Sequence, residues 1–277
     1  MSSLISGTGE DKSQSTMTLK ISIITPSFNQ ARFLEGTITS VLKQPYPELE
    51  YIIIDGGSND GSREIIQKYQ KKLAYWISEP DKGQTDAINK GFARATGDIF
   101  AWLNSDDTYM RDFLPQVASF FEKHPTAAAV YSNTNFIDEN DRIIGRFPAA
   151  QTDYKKLKQG YVHIPQQACF FRADLWRKVG PLDPNIFFAM DYDLWVRLSR
   201  EGDLFFLPEF TWANFRLHSD AKTITADDRC WPEMVRIHRR NGGSFFSFIM
   251  LKYWIRFLAG PIIRMRRRRM IKRSAPR

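Results

Sequence analysis

From Lys20 onward the chain alternates short, nearly unbroken apolar runs with stretches whose apolar residues recur every three or four positions. The runs Ile21 to Thr25, Leu49 to Asp55, Ala74 to Ser78, Asp98 to Leu103 and Ala127 to Ser132 read as β-strands. Between the first two, Phe33, Leu34, Ile38, Val41 and Leu42 fall at helical spacing; between the fourth and fifth, Phe113, Leu114, Val117, Phe120 and Phe121 do the same. The strand starts lie roughly 25 to 30 residues apart, the length of a strand plus a returning helix. This repetition predicts an α/β fold with a Rossmann-like, mainly parallel sheet and helices on both faces. After Ser132 the rhythm fades. Short extended pieces near Ile143 and Cys169 to Arg172, and helices over Asp174 to Val179 and Asp191 to Glu201, are expected there as a subregion of the same domain.

Polar residues are placed just as regularly. Each of the first four predicted strands ends in a polar cluster: Thr25-Pro-Ser-Phe-Asn29, Asp55-Gly-Gly-Ser-Asn-Asp60-Gly61, Glu79-Pro-Asp81-Lys82-Gly83-Gln84 and Asn104-Ser-Asp106-Asp107. In an open parallel sheet such carboxyl ends converge on one crevice, where ligands bind. One cluster alone serves as a turn. Four along one sheet edge point to a binding site.

A chain of 277 residues, 43% hydrophobic and 14% aromatic, can bury the core of one large domain with appendages. Its 39 Lys and Arg exceed its 31 Asp and Glu, for a formal charge of +8, but the excess is concentrated in Arg264, Arg266, Arg267, Arg268, Arg269, Lys272, Arg273 and Arg277. The basic balance therefore describes the C-terminal tail, and no nucleic-acid partner is expected. Cys169 and Cys230 match neither a disulfide framework nor a zinc spacing, which fits a reducing compartment. Residues 1–18 are rich in Ser, Gly and charge without the apolar core of a secretory signal, and read as a disordered leader. Phe245 to Ile263 is apolar and aromatic, but Lys252, Arg256 and Pro261 interrupt it, so a spanning helix is a poor fit. Residues 242–277 are read as an amphipathic, basic extension lying on an anionic membrane surface, on the cytoplasmic side of the inner face. The competing reading is a helix packed on the domain and followed by a solvated tail.

Asn104-Ser105-Asp106-Asp107 follows the apolar run Ile99 to Leu103, at a strand end that faces the crevice. Adjacent carboxylates there repel unless a cation or a partner resolves them. Hard oxygen donors without nearby Cys suit Mg²⁺ or Mn²⁺, ions that retain waters and bind substrate phosphates. The structural alternative is a cap for a helix beginning near Asp112, with Asp107 the more structural of the two acids. Asp55 closes an isoleucine-rich strand and precedes two glycines that allow close backbone approach to a flat ligand. No Gly-x-Gly-x-x-Gly or Gly-x-x-x-x-Gly-Lys-Ser/Thr sequence occurs, which disfavours nicotinamide oxidoreductases and P-loop NTPases.

Taken in order, Thr-Pro-Ser-Phe-Asn (25–29), Asp-Gly-Gly-Ser-x-Asp-Gly-Ser (55–62), Glu-Pro-Asp-Lys-Gly (79–83), Asp86-Ala-x-Asn89-x-Gly91, Leu-Asn-Ser-Asp-Asp (103–107) and Met-Asp-Tyr-Asp-Leu-Trp (190–195) resemble the family 2 glycosyltransferases of GT-A fold, over roughly residues 20 to 220. The resemblance implies an inverting enzyme that moves a sugar from a nucleoside-diphosphate sugar to a hydroxyl of a glycan or lipid-linked acceptor, in cell-surface polysaccharide or glycolipid synthesis. Residues 19–241 would form the catalytic domain, with 19–132 the nucleotide-sugar half and 133–241 the acceptor half. By the resemblance, Thr25, Pro26 and Asp55 hold the nucleoside, and Asp81, Lys82, Asp86, Asn104 and Ser105 line the donor side. Asp106 is the last acid of the metal-binding Asp-x-Asp motif, whose first position here is Asn104. His218, in Arg216-Leu-His-Ser-Asp220, is the implied companion ligand for Mn²⁺ or Mg²⁺. Asp191 is the implied general base, where relatives carry Glu-Asp and this chain has Met190; the alternative is a cap of the helix it opens. Gln166 and Gln167 are placed on the acceptor side, the alternative being that they only tie down a loop, and Asp193, the other candidate base, is placed there too. Two other readings compete: a nucleotidyltransferase, which needs a glycine-rich basic loop where this chain has Pro-Ser-Phe-Asn-Gln, and a non-catalytic membrane-binding protein with a nucleotide-binding core.

Overall fold

The apolar runs predicted as strands do lie side by side in one sheet. The computed structural model describes residues 18–219, 230–247 and 249–255. Most of the leader, the segment 220–229 and the arginine-rich end of the tail lie outside the described residues. In chain order the elements are β1 (Ile21–Ser27), α1 (Ala31–Leu42), β2 (Leu49–Asp55), α2 (Ser62–Tyr69), β3 (Tyr75–Ser78), α3 (Gln84–Arg94), β4 (Ile99–Trp102), β5 (Thr108–Tyr109), α4 (Leu114–Lys123), β6 (Ala129–Ile137), β7 (Ile143–Arg146), α5 (Tyr154–Lys158), β8 (Cys169–Arg172), α6 (Ala173–Val179), α7 (Met190–Leu198), β9 (Leu204–Arg216) and α8 (Cys230–Arg240).

The sheet runs β3-β2-β1-β4-β8-β6-β9-β5, with β7 pairing on β6. Its first four strands are mutually parallel. Beyond them β8 runs antiparallel to both β4 and β6, and β9 returns parallel to β6. The predicted parallel half is thus joined to a mixed half.

Side-chain alternation explains why the strands read as unbroken apolar runs, since both sheet faces are buried. Ile24, Ile52, Ile54, Phe100 and Trp102 point into one core with Ile88 and Phe92 of α3 and Trp195 of α7. Ile21, Ile23, Tyr51, Ile53, Ile99 and Ala101 point into the other, against Leu34 and Ile38 of α1 and Leu114 and Val117 of α4. Close approach of α3 to β1 depends on Gly91, where a Cβ would stand 2.3 Å from Ile24 Cγ2.

The pattern did not reveal β9, the longest strand. Pro208 interrupts its apolar run, and the register against β6 shifts around Asn133. Proline supplies no ladder N–H. The Asn133 amide fills the gap by donating to the carbonyls of Pro208 and Phe210, at 2.7 and 2.9 Å. Residues 249–255 are helical, as expected of the extension, and none of the described helices is long and apolar enough to cross a membrane. Ile249 and Met250 are buried, whereas Phe245, Phe246, Leu251, Trp254 and Ile255 are exposed. The start of the extension therefore packs on the domain and also presents an apolar outer face.

Candidate active site

The loops after β1 and β2 are built from one another. Asn29, at positive φ, accepts from Asn59 N through its side chain, and its own N–H donates to Ser58 Oγ. Asp60 accepts from Ala31 N at the start of α1 and from Ser62 N at the start of α2. Asp55 is fully buried, and its carboxylate accepts from Ser58 N, Ser58 Oγ and Ser78 Oγ at 2.9, 2.6 and 2.7 Å. It organises the loop that carries Gly56 instead of lining the cavity beside it. A Cβ at Gly56 would meet Asp81 Oδ2 at 2.8 Å, so the missing side chain makes room for that carboxylate. Asp81 accepts from Gly83 N at 2.7 Å. Desolvation raises the Asp81 pKa, with the neighbouring Asp86 and Asp55 charges adding to the rise against the Gly83 N–H.

These loops and the start of α7 enclose a cavity of about 810 Å³. Of the predicted site residues, Pro26, Asp81, Asn104, Ser105, Asp106, Gln166, Gln167 and Asp191 line it. The others lie behind or beside it. Thr25 Oγ1 is buried against Tyr51 Oη at 2.9 Å, Lys82 is exposed, and Asp86 accepts from Lys82 N and pairs with Lys90. Asp193 does not line the cavity. Its side chain is buried in ion pairs with Arg197 and Arg240, because two positions along a helix turn it away from the face that Asp191 presents.

The Asn104–Asp107 turn is held by a network of side-chain hydrogen bonds. Asn104 spends its whole amide within the protein: Oδ1 accepts from Gln84 Nε2 at 2.7 Å, and Nδ2 donates to Asp107 Oδ2 and Gln166 Oε1, both at 3.2 Å. Gln166 also donates to Trp102 O at 2.6 Å, and Gln167 to Asp107 Oδ2 at 3.1 Å. Both glutamines thus brace the turn with their amide nitrogens. Asp107 is fully buried and accepts a third bond from Arg216 N at 2.9 Å. Burial and the adjacent Asp106 charge push its pKa well up, against those three donors. Neither acid caps α4, whose N-cap is Phe113 with no side-chain cap bond.

Asp106 is left to face the cavity. Its Oδ2 lies 3.0 Å from Nε2 of the buried His218, whose ring rests on Phe33. Arg216, buried and stacked over the same Phe33, donates to Asp106 O at 2.8 Å and so fixes the backbone from which the carboxylate projects. No group of three or more His, Cys, Asp or Glu among the described residues gathers to hold a metal by itself. A smaller pair still fits. Asp106 Oδ2 and His218 Nε2 lie 3.0 Å apart, an oxygen and a nitrogen donor that would together hold a divalent cation once the proton they share is lost. An imidazole beside a carboxylate suits Mn²⁺ better than the harder Mg²⁺, with the remaining positions left to diphosphate oxygens and water.

Asp191 is half-buried in the first turn of α7, where the N-cap is Ala189 and makes no side-chain cap bond. Its Oδ1 accepts from Tyr192 N at 2.7 Å and so satisfies one first-turn donor of α7. The segment leading into the helix is held from a distance by Glu233 of α8, whose carboxylate accepts from Phe187 N, Phe188 N and Ala189 N at 2.9, 2.7 and 3.0 Å. Glu233 went unremarked in the sequence, and Arg216 and Phe28, which is exposed at the cavity rim, entered only as members of motifs with no role of their own. Only the acidic first turn of an amphipathic segment hinted at Glu233.

A parallel half that carries an acid-bearing turn to a crevice, a mixed half beyond it, and a second acid, from α7, lining the same cavity describe a GT-A glycosyltransferase. The chain belongs to glycosyl transferase family 2, whose sequence profile matches residues 22–180. It is 32% identical over 241 residues to an uncharacterised glycosyltransferase of Mycobacterium tuberculosis, covering 84% of this chain and 90% of that one. A PGL/p-HBAD biosynthesis glycosyltransferase of Mycobacterium bovis is 30% identical over 180 residues, with 64% and 68% covered. An uncharacterised glycosyltransferase of Nostoc is 32% identical over 180 residues, and the match spans 55% of its length. Among solved structures, Staphylococcus aureus TarS in complex with UDP-GlcNAc matches with a TM-score of 0.64 at 17% identity, over 83% of this chain and 68% of that one. A mannosyltransferase of Pyrobaculum calidifontis, solved with GDP-Man and Mn²⁺, matches with a TM-score of 0.60 at 16% identity, over 80% and 65%. At these identities the two structures speak for the fold alone. Family membership sets aside both the nucleotidyltransferase and the non-catalytic reading.

Proposed function

We propose that the chain transfers a sugar, with inversion, from a nucleoside-diphosphate sugar to a hydroxyl of a glycan or lipid-linked acceptor in cell-surface polysaccharide or glycolipid synthesis. The observation that carries this reading is that Asp106, in the turn after β4, and Asp191, in the first turn of α7, line one cavity. Displacement at the anomeric carbon needs a stabilised diphosphate on one side of the sugar and a proton acceptor on the other. Asp106 and His218 would hold a divalent cation, which would supply charge neutralisation for the departing diphosphate. Asp191 takes the acceptor hydroxyl proton. Pro26 and the Gly56 backbone receive the nucleoside, with Asp81 beside the sugar-diphosphate. Asp55, Asp107, Asn104 and Arg216 keep those groups in place. The names of the relatives favour glycolipid synthesis, and the fold neighbours bind either a uridine or a guanosine nucleotide, so the base is a matter for assay. The exposed apolar face of the extension and the basic residues beyond it favour a peripheral position on the inner face of the membrane.

The test is a panel of UDP-, GDP- and dTDP-sugars, with and without Mn²⁺, scored for release of the nucleoside diphosphate. One donor is expected to turn over in Mn²⁺ and not in chelator, with Asp106→Asn and His218→Ala both inactive. Undiminished turnover by Asp106→Asn would refute the assignment.

A further inference from the structure

The cavity is chemically divided in a way that the transfer reaction does not require. Its polar side chains come from the ends of the parallel strands, the Gln166–Gln167 segment and the start of α7. The remaining lining, from the loops before β8 and α7, from β9 and from α8, consists largely of Val162, Ile164, Phe187, Phe188, Phe215 and Met234. A bare oligosaccharide seated there would lose water from hydroxyls that find no partner, at about 1–3 kcal/mol for each one left unsatisfied. Hydrocarbon, in contrast, gains from burial in such a lining.

The segment that supplies Val162 and Ile164 also touches the extension. Two residues before Val162, Gly160 packs directly against Ile249, the buried anchor of the extension. From that anchor the chain turns an exposed face to solvent at Phe245, Phe246, Leu251, Trp254 and Ile255, with Phe246 95% exposed. Segment 160–164 thus lines the cavity at one end and supports the extension at the other. The arginine cluster follows within a few residues in the sequence. An aromatic aglycone would need only the enclosed lining, whereas a long chain would have to leave it, and the segment 160–164 that lines the cavity is also the one against which the extension packs.

We propose that the acceptor is carried on a lipid, and that the first carbons of its hydrocarbon chain occupy the Val162–Phe188–Met234 side of the cavity while the rest passes to the membrane along the extension. This rests on the glycosyltransferase reading above and specifies its acceptor.

The probes are methyl, butyl, hexyl, octyl and phenyl β-D-glucosides, below their micellar concentrations, with the full-length protein and with UDP or GDP present. Binding is read by calorimetry. A chain that enters the cavity gains ~0.8 kcal/mol per buried methylene, or about fourfold in affinity per carbon until the cavity is filled. Val162→Thr and Met234→Gln keep side-chain volume while making the lining polar, and each is expected to flatten that gradient with UDP or GDP affinity unchanged. Circular dichroism checks their folding. A flat series in the parental protein would overturn the proposal. So would a gradient untouched by both variants, which would place the chain on the exposed face instead, and so would phenyl binding that exceeds hexyl, which would make the aglycone aromatic. Nucleotide-sugar turnover with a flat glucoside series would leave the transferase standing without its lipid acceptor. A variant-sensitive gradient in a protein that binds no nucleotide would do the reverse.

Discussion

Asp106 and Asp107 are neighbours in sequence with opposite work, and replacing each by asparagine should separate catalysis from stability. Asp107 accepts three hydrogen bonds while fully buried: from Arg216 N on one oxygen, and from Gln167 and Asn104 on the other. An amide keeps only one carbonyl oxygen. If that oxygen stays toward the two side chains, the Arg216 N–H faces another N–H; the reverse orientation strands Gln167 and Asn104, and Asn104 cannot flip without losing Gln84. At least one buried donor is therefore left unsatisfied, at about 1–3 kcal/mol. Removal of a carboxylate whose charge is disfavoured by burial offsets part of this. A net loss of ~2 kcal/mol corresponds to a melting temperature lower by about 4–8 °C in a domain of this size. Asp106→Asn disturbs a single contact with His218 at the cavity edge, and should cost no more than ~1 kcal/mol. Its transfer rate should nevertheless fall by about 10² or more, since it removes a charged ligand of the cation that stabilises the diphosphate. The assay pairs thermal melts with single-turnover transfer in saturating Mn²⁺. Equal melting of Asp107→Asn and the parent, or an Asp106→Asn protein that melts early but transfers normally, would refute the division of labour.

Asp191→Asn should fold normally and lose about 10²- to 10⁴-fold in transfer at saturating donor, whereas Asp193→Asn, which leaves Arg197 and Arg240 without their buried partner, should lower the melting temperature with a smaller effect on transfer; the opposite pattern would move the base. Glu233→Gln weakens the hold on residues 187–189, and is expected to slow transfer about tenfold without raising the donor KM, because it loosens the entry to α7 and not the nucleotide loops; a change confined to donor KM would count against it. Burial by itself would raise the Glu50 pKa, but Ser22, Lys20 and Thr96 hydrogen-bond the carboxylate and hold it at about 2. Since this lies below the unfolded value of ~4.3, the stabilisation is present above that pH and is lost as pH falls toward 2. Denaturant titrations of Glu50→Gln should be flatter than the parent between pH 5 and pH 2.5 by about 1–2 kcal/mol after allowance for the partly exposed Lys20, and identical pH profiles would exclude the contribution. Gly91→Ala places a methyl against Ile24 on β1, so overpacking of about 1–3 kcal/mol should outweigh the ~1 kcal/mol helix-propensity gain; a more stable variant would show that α3 can shift.

The sequence by itself determined the parallel half of the sheet, because strands buried on both faces must be apolar throughout and their returning helices must carry a 3.6-residue stripe. It also located the crevice and named Asp81, Asn104 and Asp106 as residues of one site, since polar clusters at the ends of parallel strands have one edge to share, while the family resemblance added Asp191, which lines the same cavity. Which groups face that crevice and which stand behind it was decided only by tertiary packing. Asp55, Asp107 and Asp193 carry the same chemistry as Asp81, Asp106 and Asp191, yet each turns into the protein, where distant donors from Ser78, Arg216 and Arg240 meet it. Strand β9 escaped notice because a side chain on another strand repairs the break at Pro208. Glu233 escaped notice because the backbone it caps lies far from it in the chain. Local pattern records which face a residue prefers, whereas a hydrogen bond between remote segments leaves no period in the sequence and comes into being only when the fold closes.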